Sequence, residues 1–135
     1  METATQPEDE ARVAGVRARL ADIVEADPSP AELALVGRLL TSFAAKTPAA
    51  ADQLVRLLHQ GDAAPVREQA HSLKGSAANI GATGLAQVCF SVEEQARAGI
   101  VADPGPTAER LAAEVDGAVR AVLILAGEYE RASPA

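Results

Sequence analysis

Of the residues in this 135-residue chain that could do chemistry, His71 has the most telling neighbours: Lys74 lies three positions on and Gly75 four. All three stand in the run Ala70-His71-Ser72-Leu73-Lys74-Gly75-Ser76-Ala77-Ala78-Asn79-Ile80-Gly81-Ala82. At about 100° per residue of α-helix, Val66, Ala70, Leu73, Ala77 and Ile80 share one side, and His71 sits roughly 140° from its middle. The imidazole is therefore expected to face solvent. A side chain at position 75 would lean toward the helix N-terminus and over that ring. Glycine leaves the ring uncovered, at a cost of about 1 kcal/mol against alanine, so Gly75 is expected to serve either access to His71 or close helix packing. Lys74 puts an ammonium on the same surface, where it either pairs with an anion held at the ring or stays solvated. This grouping suits an imidazole that receives a phosphoryl group, because imidazole, with its usual pKa of about 6.5, offers a neutral ring nitrogen at neutral pH.

Other candidates carry less. His59 falls in the last turn before Gly61, where a cation complements the helix dipole. Arg67, one turn before His71, either steers an acidic partner or is a solvated arginine. Glu93 and Glu94 read as an ordinary solvated pair. Cys89 lies on an apolar stripe and reads as a buried small hydrophobe; as the single cysteine it makes no internal disulfide, and no cysteine/histidine spacing suggests zinc. There is no P-loop and no Gly-rich kinase motif. No constellation of carboxylates or histidines accompanies His71 to make it a general base or a metal ligand.

The elements that must position these residues all read as helices. Val13, Val16, Leu20, Ile23 and Val24 give a short amphipathic helix over 11–26, after an acidic tail over 1–10. Ser29, Pro30 and Glu32 form a capping-box start for a helix carrying Leu33, Val36, Leu40 and Phe43. At Thr47-Pro48 that helix is expected to kink or to restart, and Leu54, Val55 and Leu58 continue its apolar face to Gly61. Asp62 reads as N-cap of the histidine helix, which stops at Gly81. A further helix over 82–98 buries Leu85, Val88, Cys89 and Val92 and closes at Gly99. Residues 100–105 read as a loop, and a last helix over 106–131 carries Leu111, Val115, Val119, Val122, Leu125 and Tyr129, leaving 132–135 as tail. The expected fold is all-α: an antiparallel four-helix bundle with a short additional N-terminal helix, in one domain over 11–131.

Composition agrees with helices over a sandwich. Hydrophobic residues make up 48% of the chain but aromatics only 2%, so the core must be built from Ala, Leu, Val and Ile in close contact. A formal net charge of −7 argues against general affinity for nucleic acid or an anionic membrane. No apolar run approaches the roughly 20 residues of a membrane span, and the acidic start lacks the features of a signal peptide. A cytoplasmic location is expected.

The run from His71 to Ala82, followed by Leu85, Cys89 and Val92-Glu93-Glu94, resembles the histidine-containing phosphotransfer (HPt) domain of bacterial multistep phosphorelays, with the core of the likeness over residues 67–99. The resemblance implies that His71 is the phosphoacceptor, through Nε2, that Lys74 supports the phosphoryl charge and that Gly75 gives access. It implies as partners a hybrid sensor histidine kinase and the receiver domains of response regulators: the phosphoryl group arrives from one phospho-aspartate and leaves to another. No cofactor is expected in this chain, since the Mg²⁺ and the acidic pocket belong to the receiver, and the chain is expected to be a monomeric carrier without kinase activity of its own. Some HPt domains place a glutamine on the neighbouring helix to hydrogen-bond the imidazole; the corresponding position here is Glu93. The alternative reading is a helical module that binds receivers or other signalling proteins without exchanging phosphate.

Overall fold

Residues 7–132 are described by the computed structural model. Five helices follow one another: α1 (Pro7–Ile23), α2 (Pro30–Gln60), α3 (Ala63–Ile80), α4 (Thr83–Arg97) and α5 (Pro104–Ala132). Turns of two residues join α2 to α3 and α3 to α4, so these helices reverse direction at each step, as in an up-down bundle. The most extensive packing is between α2 and α5 and between α3 and α4, with α1 laid chiefly along α5.

Local signals set the boundaries. Ser29 Oγ accepts from Glu32 N at 3.1 Å and Pro30 occupies the first turn, which starts α2 where the capping pattern demands. Asp62 starts α3 in the same way, accepting from Ala64 N at 3.3 Å. Gly61, Gly81 and Gly99 all take positive φ at chain reversals, a conformation that costs glycine nothing. Of the two outcomes open at Thr47-Pro48, a restart does not occur. The helix runs through Pro48 as one 31-residue element, with Phe43, Thr47, Ala51 and Leu54 buried on both sides of the proline. Burial of that stripe outweighs the roughly 3 kcal/mol that an interior proline costs.

Two helix starts lie earlier than the sequence pattern indicates. α1 begins at Pro7, inside the segment read as tail, because its acidic first turn is tied down: Asp9 pairs with Arg12 and, across to α5, with Arg120 at 3.0 Å. α5 begins at Pro104, inside the expected loop. Asp103 caps it, its side chain accepting from Gly105 N at 3.4 Å and its carbonyl from Thr107 N at 3.2 Å. α5 also runs on through Ala132. The rest of the expected tails, residues 1–6 and 133–135, lies outside the described residues.

The core is aliphatic. Leu20, Leu40, Leu54, Leu58, Leu85, Leu111 and Leu125 are its largest fully buried side chains, with Val16, Val66, Val92 and Val122 between them. Ala70, Ala77, Ala118 and Ala121 let the helices approach closely. Ile23, expected on the apolar face of α1, is instead half exposed, since the helix ends there. Among the described residues no helix is long and apolar enough to cross a membrane.

Candidate functional site

The five residues assigned to the inner side of α3, Val66, Ala70, Leu73, Ala77 and Ile80, are all buried, and that rotation fixes where His71 points. Its side chain is 67% exposed. Gln69 Nε2 donates to Ala50 O at 2.9 Å and pins α3 to α2 two residues before the histidine, a contact the sequence pattern did not signal.

The ring is free on one edge only. His71 Nδ1 lies 2.7 Å from Glu93 Oε2 on α4. Glu93 is not the solvated residue expected: its side chain is 2% exposed. It lies on the side of α4 packed against α3 and meets the histidine ring and two cations, Lys74 Nζ at 2.6 Å and Arg97 at 3.1 Å. Burial raises the Glu93 carboxyl, but the Lys74 ammonium and His71, as hydrogen-bond partners and as charges, outweigh it and hold the group below the ordinary glutamate value of 4.5. Glu93 is thus an ionised acceptor at neutral pH, so the proton of the His71–Glu93 contact belongs to Nδ1. Nε2 carries the opposite edge of the ring. Glu94, by contrast, is a surface residue as expected, paired with Arg97 Nε at 3.2 Å.

Lys74 is not a free surface lysine. Its side chain is partly buried, its ammonium lies on Glu93, and it stands 5.6 Å from the centroid of the Phe90 ring, which is itself half exposed. Gly75 resolves one of its two readings. A Cβ built there meets nothing within 4 Å, and its φ is not positive, so neither close packing nor backbone conformation requires glycine. Arg67 is exposed and lines a shallow pocket together with Glu68, His71, Glu93 and Arg97.

A family model described as Hpt domain matches residues 38–121, more than half of the chain and all of the site just described. The chain belongs to the Hpt domain family. No curated protein and no solved structure matches it. Hpt domains are phosphocarriers of phosphorelays, and in this Hpt domain α3 and α4, which carry the site, fall wholly inside the matched segment, whereas α1 and the first turns of α2 precede it.

The other candidates take the places their types suggest. His59 is exposed in the last turn of α2. Cys89 is fully buried, and burial, with the nearby Glu93 charge, pushes its thiol up to about 12, so it behaves as a small apolar side chain. Phe90 and Arg97 are site neighbours that sequence reasoning passed over. Arg97 had a signal, its i,i+4 spacing from Glu93; Phe90 had none.

Proposed function

We propose that this Hpt domain is a histidine phosphotransfer protein that accepts a phosphoryl group on His71 Nε2 from the phospho-aspartate of a receiver domain and passes it to the aspartate of another. The observation that carries the reading is an exposed imidazole whose Nδ1–H is already committed to a buried carboxylate. That contact leaves the lone pair on Nε2, the outward nitrogen. The Nε2–P bond forms as the P–O bond to the receiver aspartate breaks, and the carboxylate leaves with the electron pair. No proton has to move: Nδ1 keeps its hydrogen, and the positive charge that the phosphorylated ring acquires lies against Glu93.

Phosphoryl transfer is governed by positioning and charge neutralisation. Lys74 supplies a cation one turn from the ring; Glu93 engages its ammonium from one side, and an ammonium has three donors to offer. Gly75 leaves the approach to His71 open. The receiver contributes Mg²⁺ and the acidic pocket, the donor being the receiver domain of a hybrid sensor histidine kinase in the same compartment, the cytoplasm. On this reading the chain is a carrier and does not phosphorylate itself from ATP. Incubation with phosphorylated receiver domains should leave an acid-labile, base-stable label on the wild-type chain and none on His71→Gln. A label retained by that variant would refute the assignment.

A further inference from the structure

Phe90 stands beside the site with no part in the chemistry described so far. The chain has two phenylalanines, one tyrosine and no tryptophan. Phe43 is buried and Tyr129 partly so, whereas Phe90 is 53% exposed. A lone exposed apolar side chain is ordinary on a protein surface; what distinguishes this one is the cation beside its ring. Phe90, Glu93 and Arg97, at i, i+3 and i+7, share one edge of α4. The antiparallel α3 lays its own residues along that edge in order. His71 and Arg97 both meet Glu93 Oε2, while Lys74, one turn further along α3, meets Glu93 Oε1 and stands 5.6 Å from the centroid of the Phe90 ring. Among the described residues Glu93 is the only carboxylate that Lys74 reaches.

We infer that Phe90 is a positioning residue for phosphotransfer: its ring holds the Lys74 ammonium at the edge of the helix pair that carries His71, without neutralising it, so that the cation is in place when the phosphoryl group arrives. The inference rests on the phosphotransfer reading of His71 and adds to it the group that keeps the supporting cation within reach. A lysine side chain is flexible and its ammonium strongly hydrated. Held by Glu93 alone, Lys74 is either neutralised on the carboxylate or, once it leaves, lost to water. An aromatic face attracts an ammonium within about 6 Å of its centroid through the ring quadrupole and brings no net charge. A carboxylate or amide at position 90 would compete with the phosphoryl oxygens for the three N–H donors of the ammonium, whereas a ring face offers no lone pair. An aliphatic side chain would cover the lysine without attracting its charge. Lys74 can thus lean from Glu93 Oε1 toward a phosphoryl oxygen while the ring still holds it.

The test uses Phe90→Leu, which removes the quadrupole and keeps an apolar helix former, and Phe90→Tyr, which keeps a ring; position 90 is exposed, so both variants should remain folded by circular dichroism. Each is made in the wild-type and in the Lys74→Ala chain. Labelling of His71 is timed from two donors, a phosphorylated receiver domain and phosphoramidate, a small molecule that makes no docking contacts; from it Nε2 takes the phosphoryl group as the P–N bond breaks and ammonia leaves with the electron pair. Phe90→Leu should slow both donors about two- to fivefold, the rate equivalent of an exposed cation–π contact. Phe90→Tyr should label at the wild-type rate, and in the Lys74→Ala chain Phe90→Leu should change neither rate, the signature of a residue that acts through its neighbour. A slowing confined to the receiver, or one that persists at full size in Lys74→Ala, would make Phe90 a contact of the partner or of the fold and overturn the inference, as would wild-type rates in Phe90→Leu; label on wild-type His71 then leaves the carrier reading intact. Failure of both donors to label His71 in the wild-type chain overturns the carrier reading and the inference with it.

Discussion

Gly75 separates access from architecture more cleanly than any other residue of the site. It occupies an exposed turn of α3 with helical φ, and an added Cβ meets no atom within 4 Å. Replacing it by alanine should therefore stabilise the fold by about 1 kcal/mol, the usual difference between the two residues inside a helix. In a domain of this size that corresponds to a rise in Tm of about 3–6 °C. Leucine is nearly as good a helix former, so Gly75→Leu should also melt at or above the wild-type temperature. Its branched side chain, though, leans back over the His71 ring and holds an incoming phosphoaspartate away from in-line approach. A misplacement of about 1 Å costs roughly 100-fold in rate, and a leucine side chain displaces a partner by more than that. Thermal melts by circular dichroism, together with the rate of label transfer from a phosphorylated receiver, read the two effects separately. The expected pattern is higher Tm in both variants, with transfer reduced about 100-fold in Gly75→Leu and less in Gly75→Ala. A Gly75→Leu protein that is folded and transfers at the wild-type rate would refute the access argument; a Gly75→Ala protein that melts lower would refute the description of an uncrowded helical position.

Three further outcomes are expected. Lys74→Ala should slow transfer about tenfold, through loss of a cation beside the phosphoryl group, and should lower stability by about 1–3 kcal/mol without unfolding the bundle, because buried Glu93 loses one of its partners and keeps His71 and Arg97; an unchanged transfer rate removes Lys74 from the mechanism. Glu93, whose carboxyl is held below the ordinary value of 4.5, binds a proton less readily folded than unfolded. Its contribution to stability is then complete above that value and is lost as pH falls through the lower folded-state value. The Tm difference between wild type and Glu93→Gln should be constant near neutrality and shrink below about pH 4.5; a difference that persists undiminished into acid would contradict an ionised, paired Glu93. Cys89, buried and with its thiol pushed up to about 12, should resist Ellman's reagent at pH 8 until the protein is unfolded, and fast reaction of the native chain would show that α4 opens.

What a single sequence revealed of this fold and site follows from the range of each interaction. The inner face of α3, the caps at Ser29 and Asp62 and the stops at Gly61, Gly81 and Gly99 depend on residues within a turn or two of one another, and each lies where periodicity and turn chemistry place it. The first turn of α1 depends instead on Asp9 reaching Arg120, and the continuity of α2 through Pro48 on burial against the bundle; neither partner is near in sequence. Glu93 shows the same division within the site. The stripe formed by Leu85, Cys89, Val92 and Ala96 places position 93 about 70° from its centre, at the edge between core and solvent, where a carboxylate reads as solvated. Burying it alone would be prohibitive. It is buried because α3 brings an ammonium and a ring N–H to it from the other side of the helix pair, with its own i+4 arginine completing the set. His71, Lys74 and Glu93 thus form one unit spanning two helices, and the residue that sets the edge on which the imidazole is free is the one whose surroundings one-dimensional periodicity cannot register.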